Sequence, residues 1–384
     1  MVAAIRRGQS LHALASRFNV SVPTVQRWHD RAKDQRLDRV CFDDLSRAPH
    51  KVANRTSLKV ERQVLQIRTF LKEESALGEF GAQAIHRELL RRGIKPVPCL
   101  RTIGNILSRH GALDYCRRMR HPAPGKGWYL PEVADALAEL DEFDFVEGLI
   151  IKGGSEVEVL NVISLHGGVV GSFPQSPFNT EAALRAILRH WREVGLPDYA
   201  QFDNDTRFQG PHQHADTIGR VIKLCLAVGV VPVFAPPREH GLQNGVESYN
   251  GRWQEKVWSR FHYQDRAQLQ KQSRKYVSAY RKKNAARNER APRRRAFPKR
   301  WQFDAQAQVS GRIIFIRRTS DKGTVDLLGH RFEVAAHWVH RLIRCEVDID
   351  AREIRFYALR RREPKQQPLL RKVSYQLPSR YTKR

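Results

Sequence analysis

Three acidic residues stand where a carboxylate is either costly or well placed for chemistry: Asp144, Asp203 and Glu247. Asp144 lies inside FDFVEGLII, between Phe143 and Phe145. A charge within an apolar strand is expensive unless it is paired or bound to a metal. Asp203 closes the short strand YAQF, and ligands gather at the carboxyl ends of strands in α/β sheets. Glu247 falls one turn into a helix that begins near Asn244, after a loop rich in Pro and Gly. Two strand positions and one helix position can converge on one edge of a sheet. Oxygen-only donors select hard cations such as Mg²⁺ or Mn²⁺. Two such ions about 3.5–4 Å apart activate an attacking oxygen and stabilise a leaving one during phosphodiester attack. No side-chain nucleophile is then needed, and the sequence shows no Gly-x-Ser-x-Gly elbow, no P-loop and no convincing Cys–His pair.

Neighbouring acids carry blander readings. Glu142 shares a strand face with Asp144, while Asp141 and Glu147 point to the other face. Glu255 follows Glu247 on the same helix face and reads as a solvated or DNA-proximal side chain. His212 and His214 read as solvated loop histidines rather than ligands.

The elements that must position these acids lie between about Asp135 and Trp301. Phe143 to Ile151, Val157 to Leu165 and Gly168 to Phe173 read as three successive strands. Thr180 to Val194 reads as an amphipathic helix capped by Asn179 or Thr180. A short strand follows at Tyr199 to Phe202, then a helix at Ala215 to Val228 and a strand at Val230 to Ala235. Helices at Asn244 to Ser259 and about Arg266 to Lys283 complete a mixed α/β sheet. RNERAPRRRAFPKR, residues 287–300, reads as basic and irregular.

Ahead of this core, LHALASRFNVSVPTVQRWHD (residues 11–30) holds two short helical patterns around a tight turn. Leu14, Phe18, Val20, Val25 and Trp28 are spaced for one small core. Ser21 is placed as an N-cap and Pro23 sits in the first turn. The stretch resembles a helix-turn-helix, whose second helix presents Thr24, Gln26, Arg27 and Arg31 to a major groove. A second, longer-turned helical pair spans residues 81–113 with a break from Gly93 to Pro98. Behind the core, Arg312 to Leu359 reads as five short strands, enough for a small antiparallel barrel.

Charge narrows the partners. Of 384 residues, 68 are Lys or Arg and 40 are Asp or Glu, a net charge of +28. Such a surface attracts polyanions, and nucleic acid fits best because phosphate contacts release counterions. No long uncharged apolar run, signal peptide or lipidation motif points to a membrane. The five cysteines are scattered without a Cys-x-x-Cys pair, which argues against a zinc ribbon and suits a reducing cytosol.

LDEFDFVEG, VLNVISLHGGVVGSF, FDNDTRF and APPREHGLQNGVESYNGRW together resemble the catalytic core of DDE transposases and retroviral integrases, over about residues 135–260. The Gln243-Asn244-x-x-Glu247 element is the most specific part, and Asp203-Asn204 the next. The resemblance implies an RNase H-like core with a mixed five-stranded sheet, and Asp144, Asp203 and Glu247 as ligands of Mg²⁺ or Mn²⁺, two ions per site. Relatives usually have Gly at the place of Asp205 and often an acid at that of Arg207, so Asp205, two residues after Asp203, either competes with it as ligand or adds charge at the metal edge. The resulting layout is a helix-turn-helix domain at 1–40, a linker at 41–57 and a second helical, DNA-binding unit at 58–120. A linker at 121–134, the core at 135–285, a basic linker at 286–308, a β-barrel at 309–362 and a basic tail at 363–384 follow.

The expected activity is hydrolysis at element ends to expose a 3′-hydroxyl, then strand transfer into target DNA. Asn250, Arg252, Gln254 and Lys256 are expected to meet DNA near the cut. Arg293, Arg294 and Arg295 are expected along a phosphate backbone, and Lys322, Arg331 and Arg344 are candidates in the barrel. Assembly as a homo-oligomer on DNA, an accessory ATPase or targeting protein, and a prokaryotic cytoplasmic, nucleoid-associated setting go with this reading. Two alternatives are a catalytically inactive or domesticated DNA-binding regulator that uses the N-terminal helices, and a nuclease that only hydrolyses.

Overall fold

Small and apolar residues recur at helical spacing between polar caps at the start of the chain, and three short helices form there. In the computed structural model, which describes residues 1–43, 56–113, 127–211, 214–236, 239, 241–378 and 380, the chain divides into two units, Met1–Val60 and Glu61–Arg384. The first unit holds α1 (Val2–Ile5), α2 (Leu11–Arg17) and α3 (Val22–Arg31). Ser10 caps α2 by accepting the Ala13 N–H at 3.2 Å. Ser21 occupies the cap position of α3, but its hydroxyl bonds that of Thr24 at 2.9 Å instead of a backbone amide. Leu14, Ala15 and Val25 form the core, as their spacing implies, and Ala4 of α1 joins them. Phe18, expected inside, is 44% exposed. The core is too small for its ring once α1 covers that side, and Arg17 lies over the ring instead.

Most of α4 (Leu58–Glu74) belongs to the second unit, followed by α5 (Ala82–Arg91) and α6 (Leu100–Arg109). Their apolar stripes meet through Val64, Ile67, Ile85, Leu89, Ile103 and Ile106. The buried carboxylate of Glu61 accepts from Arg109 at 2.5 Å and contacts His110 at 3.0 Å, which ties α4 to the end of α6.

Next comes the short helix α7 (Pro131–Ala134) and the strands β1 (Leu140–Ile150), β2 (Glu156–Ser164) and β3 (Val170–Gln175). They form an antiparallel meander. Gly148, at φ +70°, sits at the break in register between Val146 and Leu149, where a positive φ bends the strand into a bulge. Then come α8 (Thr180–Val194), β4 (Tyr199–Phe202), α9 (Thr206–Gln209), α10 (Arg220–Ala227) and β5 (Val231–Phe234). Asn179 caps α8 by accepting the Ala182 N–H at 2.9 Å. Strands β4 and β5 run parallel to β1, giving the order β3-β2-β1-β4-β5. That mixed sheet, flanked by helices, broadly matches an RNase H-like core.

Both faces of the sheet are covered, so its strands are nearly continuous apolar runs. Leu160 and Val162 of β2 face α8 and α10 with Leu184, Ile187, Trp191 and Val221. Val157, Val159 and Ile163 face α11 (Asn244–Trp253) and α12 (Arg266–Lys283), where Val246, Tyr249, Trp253 and Tyr276 pack. After Trp253 the helix runs on as a π-helical turn, Gln254–Trp258. Part of the basic stretch after α12 is the short helix α13 (Ala285–Glu289), not irregular chain.

The C-terminal segment departs from the expected barrel. The five strands anticipated between Arg312 and Leu359 exist: β6 (Arg312–Arg318), β7 (Thr324–Leu327), β8 (His330–Glu333), β9 (Leu342–Asp348) and β10 (Glu353–Ala358). A sixth, β11 (Leu369–Ser374), lies in the segment expected to be only a basic tail. They do not close on themselves. β6 pairs in parallel with β5 through Val233↔Ile314 and Phe234↔Phe315, and β9, β10 and β11 continue outward in one nine-stranded sheet. β7 and β8 form a separate ribbon. The reason is apolar burial: Ile313, Phe315, Ile343, Val347 and Phe356 share one core with Phe234 and α10.

Candidate active site

Parallel pairing sets the first two acids. β1 and β4 align as Leu140↔Tyr199, Asp141↔Ala200 and Glu142↔Gln201. Two residues further on, Asp144 comes level with Asp203, just past the end of β4. On its other side Asp144 lies opposite Asn161 of β2. The Asn161 amide donates to Asn250 Oδ1 at 2.8 Å, and Asn250 Nδ2 donates to Asp144 Oδ2 at 2.7 Å. One row back, Phe143, Phe202, Phe234 and Phe315 lie side by side across four parallel strands, with centroids 5.1, 5.9 and 5.2 Å apart in turn. This ladder seals the opposite face beneath the acids.

Burial pushes the Asp144 carboxyl up to about 7. The charge of Asp203 adds to the rise, as does that of Glu247, against hydrogen bonds from the Phe145 amide and Asn250. Asp203 is likewise raised by burial, although the Asp205 N–H donates to its Oδ1 at 3.1 Å.

The third acid is placed by the start of α11. Glu142, fully buried, accepts the Val246 N–H at 2.8 Å and is also bonded by the Gly245 amide. A carboxylate at a helix N-terminus meets unsatisfied amides and the positive end of the helix dipole. Burial raises Glu142 to about 8, and the charges of Glu247 and Asp144 add to this. The loop before α11 is anchored as well. The Leu242 carbonyl accepts from Tyr129 Oη at 3.1 Å and from Gln201 Nε2 at 2.9 Å. Tyr129 falls in a stretch expected to be linker, yet Trp128, Tyr129 and Leu130 are buried. Glu247 itself is exposed on the first turns of α11.

Asp205 is drawn elsewhere. It caps α9, accepting the Arg207 N–H at 2.7 Å, and its carboxylate is gripped by the Arg207 guanidinium at 2.6 and 2.9 Å. Arg207 also pairs with Glu147 and Glu158 and lies 3.8 Å over the Phe145 ring. Arg207 therefore neutralises Asp205.

Among the described residues, no three His, Cys, Asp or Glu side chains stand together as a ready metal cage. The donor chemistry of Asp144 and Asp203 nevertheless fits a hard divalent cation. Two oxygen donors stand level on neighbouring strands, and the raised Asp144 carboxyl registers the like charge of Asp203 and Glu247, which a cation would reverse. His214 is exposed, and His212 lies outside the described residues.

Solved structures of retroviral integrases are similar to this chain. The dimeric HTLV-2 integrase catalytic core domain in complex with magnesium is 13% identical, over 41% of this chain and 87% of that one, with a TM-score of 0.27. Its trimeric form is 15% identical over 41% and 86%, also at 0.27. The simian T-cell lymphotropic virus intasome in complex with PP2A regulatory subunit B56 gamma is 12% identical over 69% and 88%, at 0.33. No family model and no curated protein matches the chain.

The expected DNA-contacting residues part into two groups. Arg27, Gln254, Arg293 and Lys322 are exposed. Thr24 bonds Ser21, Gln26 donates to Asp30 at 2.7 Å, and Arg31 lies over Trp28. Arg252 donates to Tyr280 Oη at 2.6 Å, Lys256 pairs with Glu255 at 2.7 Å, and Arg331 pairs with Asp326 at 2.8 Å. Asn250 is turned inward onto Asp144. Arg294 is also inward, in a two-pronged ion pair with buried Asp141 at 2.8 and 2.7 Å. Arg295 donates to Gly229 O at 2.6 Å and bridges to Leu196 through its backbone. Arg344 is buried beside Glu346. Arg294 of the basic run and Arg344, a candidate of the expected barrel, thus satisfy interior carboxylates.

Sequence reasoning left Glu142 and Asn161 without a role. Both carried a signal: an amide in the apolar run VLNVIS, and an acid on the same strand face as Asp144.

Among the described residues, no helix is long and apolar enough to cross a membrane.

Proposed function

We propose that the chain is a DDE-type polynucleotidyl transferase, a DNA transposase or integrase that cuts at element ends and joins the exposed 3′-hydroxyl to target DNA. The observation that carries this reading is the level pairing of Asp144 with Asp203 on adjacent parallel strands, each carboxyl raised by burial and Asp144 further by the charges of Asp203 and Glu247. Asp144, Asp203 and Glu247 would hold Mg²⁺ or Mn²⁺. Bound there, two ions would supply activation of the attacking oxygen and stabilisation of the leaving one.

The rest is the work of the chain's own side chains. Asn250, braced by Asn161, fixes the Asp144 carboxylate, and the Asp205 amide fixes that of Asp203. Glu142 holds the first turn of α11 against β1, so Glu247 is carried on a helix start anchored to the same strand as Asp144. Arg207 keeps Asp205 from competing with Asp203. In this reading α3 enters a major groove with Thr24, Gln26, Arg27 and Arg31, and the protein assembles as a homo-oligomer on DNA, with or without an accessory ATPase.

Asp144→Asn, Asp203→Asn and Glu247→Gln are each expected to lower metal-dependent strand transfer by about a thousandfold or more. Binding to the same DNA in metal-free buffer should stay within about twofold of wild type. Full strand transfer by any one of the three variants overturns the reading. Wild-type binding with no metal-dependent cutting would turn the assignment to a DNA-binding regulator, and cutting without joined products to a hydrolase.

A further inference from the structure

Arg317 is a cation without a carboxylate. It lies near the end of β6, half-buried, with its guanidinium over the Phe315 ring at 5.0 Å. Its hydrogen bonds run to the carbonyl of Ile316 at 2.9 Å and to Asn204 Oδ1 at 3.0 Å. Among the described residues no acid pairs with it, and burial pulls it down to about 10. Arg207, Arg294 and Arg344 are instead matched, Arg207 by three carboxylates, Arg294 by Asp141 and Arg344 by Glu346. An uncompensated charge removed from water is costly, so a site built this way fits an anion supplied from outside.

The pocket in front of Arg317 has a volume of about 310 Å³ and is lined by Asn204, Gln209, Gly210, His214 and Thr217 among others. Asp326, the carboxylate in that lining, is held by Arg331 at 2.8 Å. A second, independent observation points to a missing ligand: Gln209 Oε1 is buried in the same lining and, among the described residues, has no hydrogen-bond partner. The amide of Gln209, turned over, offers an N–H in that place.

The register locates the pocket. Phe202, Phe234 and Phe315 are level across β4, β5 and β6, so Asn204 and Arg317 are level two residues later. Arg317 therefore stands two strands, about 10 Å, to the side of the chain that carries Asp203. It is on the same carboxyl edge of the sheet, on the face opposite the acids.

We propose that the Arg317 pocket holds a backbone phosphate of the DNA that crosses this edge, as a phosphodiester subsite beside the carboxylates. This rests on the DNA-transferase reading for its substrate, but not on catalysis for its test. Arg317 supplies the charge, the Gln209 amide, turned over, supplies a hydrogen bond, and the sharing of Arg317 with Asn204 ties the bound phosphate to the residue next to Asp203.

The test is binding of a short DNA duplex of arbitrary sequence, in metal-free buffer, followed by anisotropy across a salt series. Arg317→Gln is expected to weaken binding about three- to tenfold and to reduce the slope of log K against log salt by about one. Arg317→Lys should keep the slope. Gln209→Glu places a carboxylate beside Arg317, so it should lower affinity and slope as Arg317→Gln does, while raising Tm. The second variant covers the case in which Arg317→Gln loses its fold. Wild-type affinity and slope in Gln209→Glu and in folded Arg317→Gln overturn the proposal. So does a rise in Tm with inorganic phosphate that depends on Arg317 while the duplex slope does not, because the pocket is then a free-phosphate site. Loss of the catalytic reading would show instead as activity surviving in Asp144→Asn, with these binding results unchanged.

Discussion

His190 is wholly buried between Phe143 and Phe173, and among the described residues neither ring nitrogen has a hydrogen-bond partner. Asp141 lies 3.7 Å away, but its carboxylate is already taken by Arg294 and the Trp191 N–H. Burial pushes His190 down to about 3; Asp141 pulls the other way, while Arg294 and Arg281 reinforce the fall. The folded protein therefore keeps this ring neutral where the unfolded chain protonates it, near pH 6.5. Its contribution to stability is complete above pH 6.5 and falls as pH drops toward 3, by at most about 1.4 kcal/mol per pH unit. Asp141, depressed below its ordinary value, adds stability that is complete above the ordinary Asp range and is lost as pH falls below it. The buried acids of the site are raised and favour the fold in the opposite direction, so the informative quantity is a difference. Urea unfolding of wild type and His190→Leu at pH 5 and pH 7 should show the wild type losing more stability on acidification, by about 1 to 2 kcal/mol. Equal losses in the two proteins would mean that the ring is protonated or solvated in the folded state.

Gly245 links the elements of the site. A Cβ there would come 2.4 Å from Glu142 Oε2, so any side chain must push α11 away from β1 or displace the carboxylate that caps it. On the proposed transferase reading, Gly245→Ala is expected to slow single-turnover strand transfer about tenfold to a hundredfold, because displacements of about 1 Å are that costly at a reacting centre. DNA affinity in metal-free buffer should not change, and an unaltered rate would show that the Glu142 cap does not govern the position of Glu247. Much of this scaffold is legible in sequence. The Val- and Ile-rich runs gave away β1 and β2, and Asn179 marked the start of α8. Helix α10 starts at Arg220, later than the apolar pattern implies, because residues 217–219 are held in an extended turn against α9, with the Gly219 N–H on Gln209 O. Each of the two strand acids follows a phenylalanine of the ladder, Phe143-Asp144 and Phe202-Asp203. That repeated pair was visible, but only strand pairing reveals that the two copies are level. Which of Asp203 and Asp205 is free was not legible, since it depends on Arg207 reaching back across the turn to Asp205 as well as onto Glu147 and Glu158.

At the scale of the whole second unit, the C-terminal strands are part of the core sheet. Strand number was readable from alternation and turns, but strand partner was not, since the same five strands can close a barrel or extend a sheet. One local sign favoured extension: Ile313 to Ile316 are four consecutive buried residues, the pattern of a strand covered on both faces. A barrel tethered by a linker would be dispensable for folding. An extension is not, because Phe234 stacks on Phe315 at 5.2 Å, and Lys223 of α10 donates to Ala305 O at 2.6 Å. Removing residues 309–384 would expose β5 as an unpaired, apolar edge, a template for association between chains. The shortened protein is expected to aggregate on expression, or to melt at least about 10 °C below wild type if it stays in solution. Strand transfer should be lost with the fold, not merely DNA affinity. A truncated protein that stays monomeric, with wild-type Tm, would mean that β6 to β11 form an independent domain and that the β5–β6 pairing contributes nothing to the catalytic sheet.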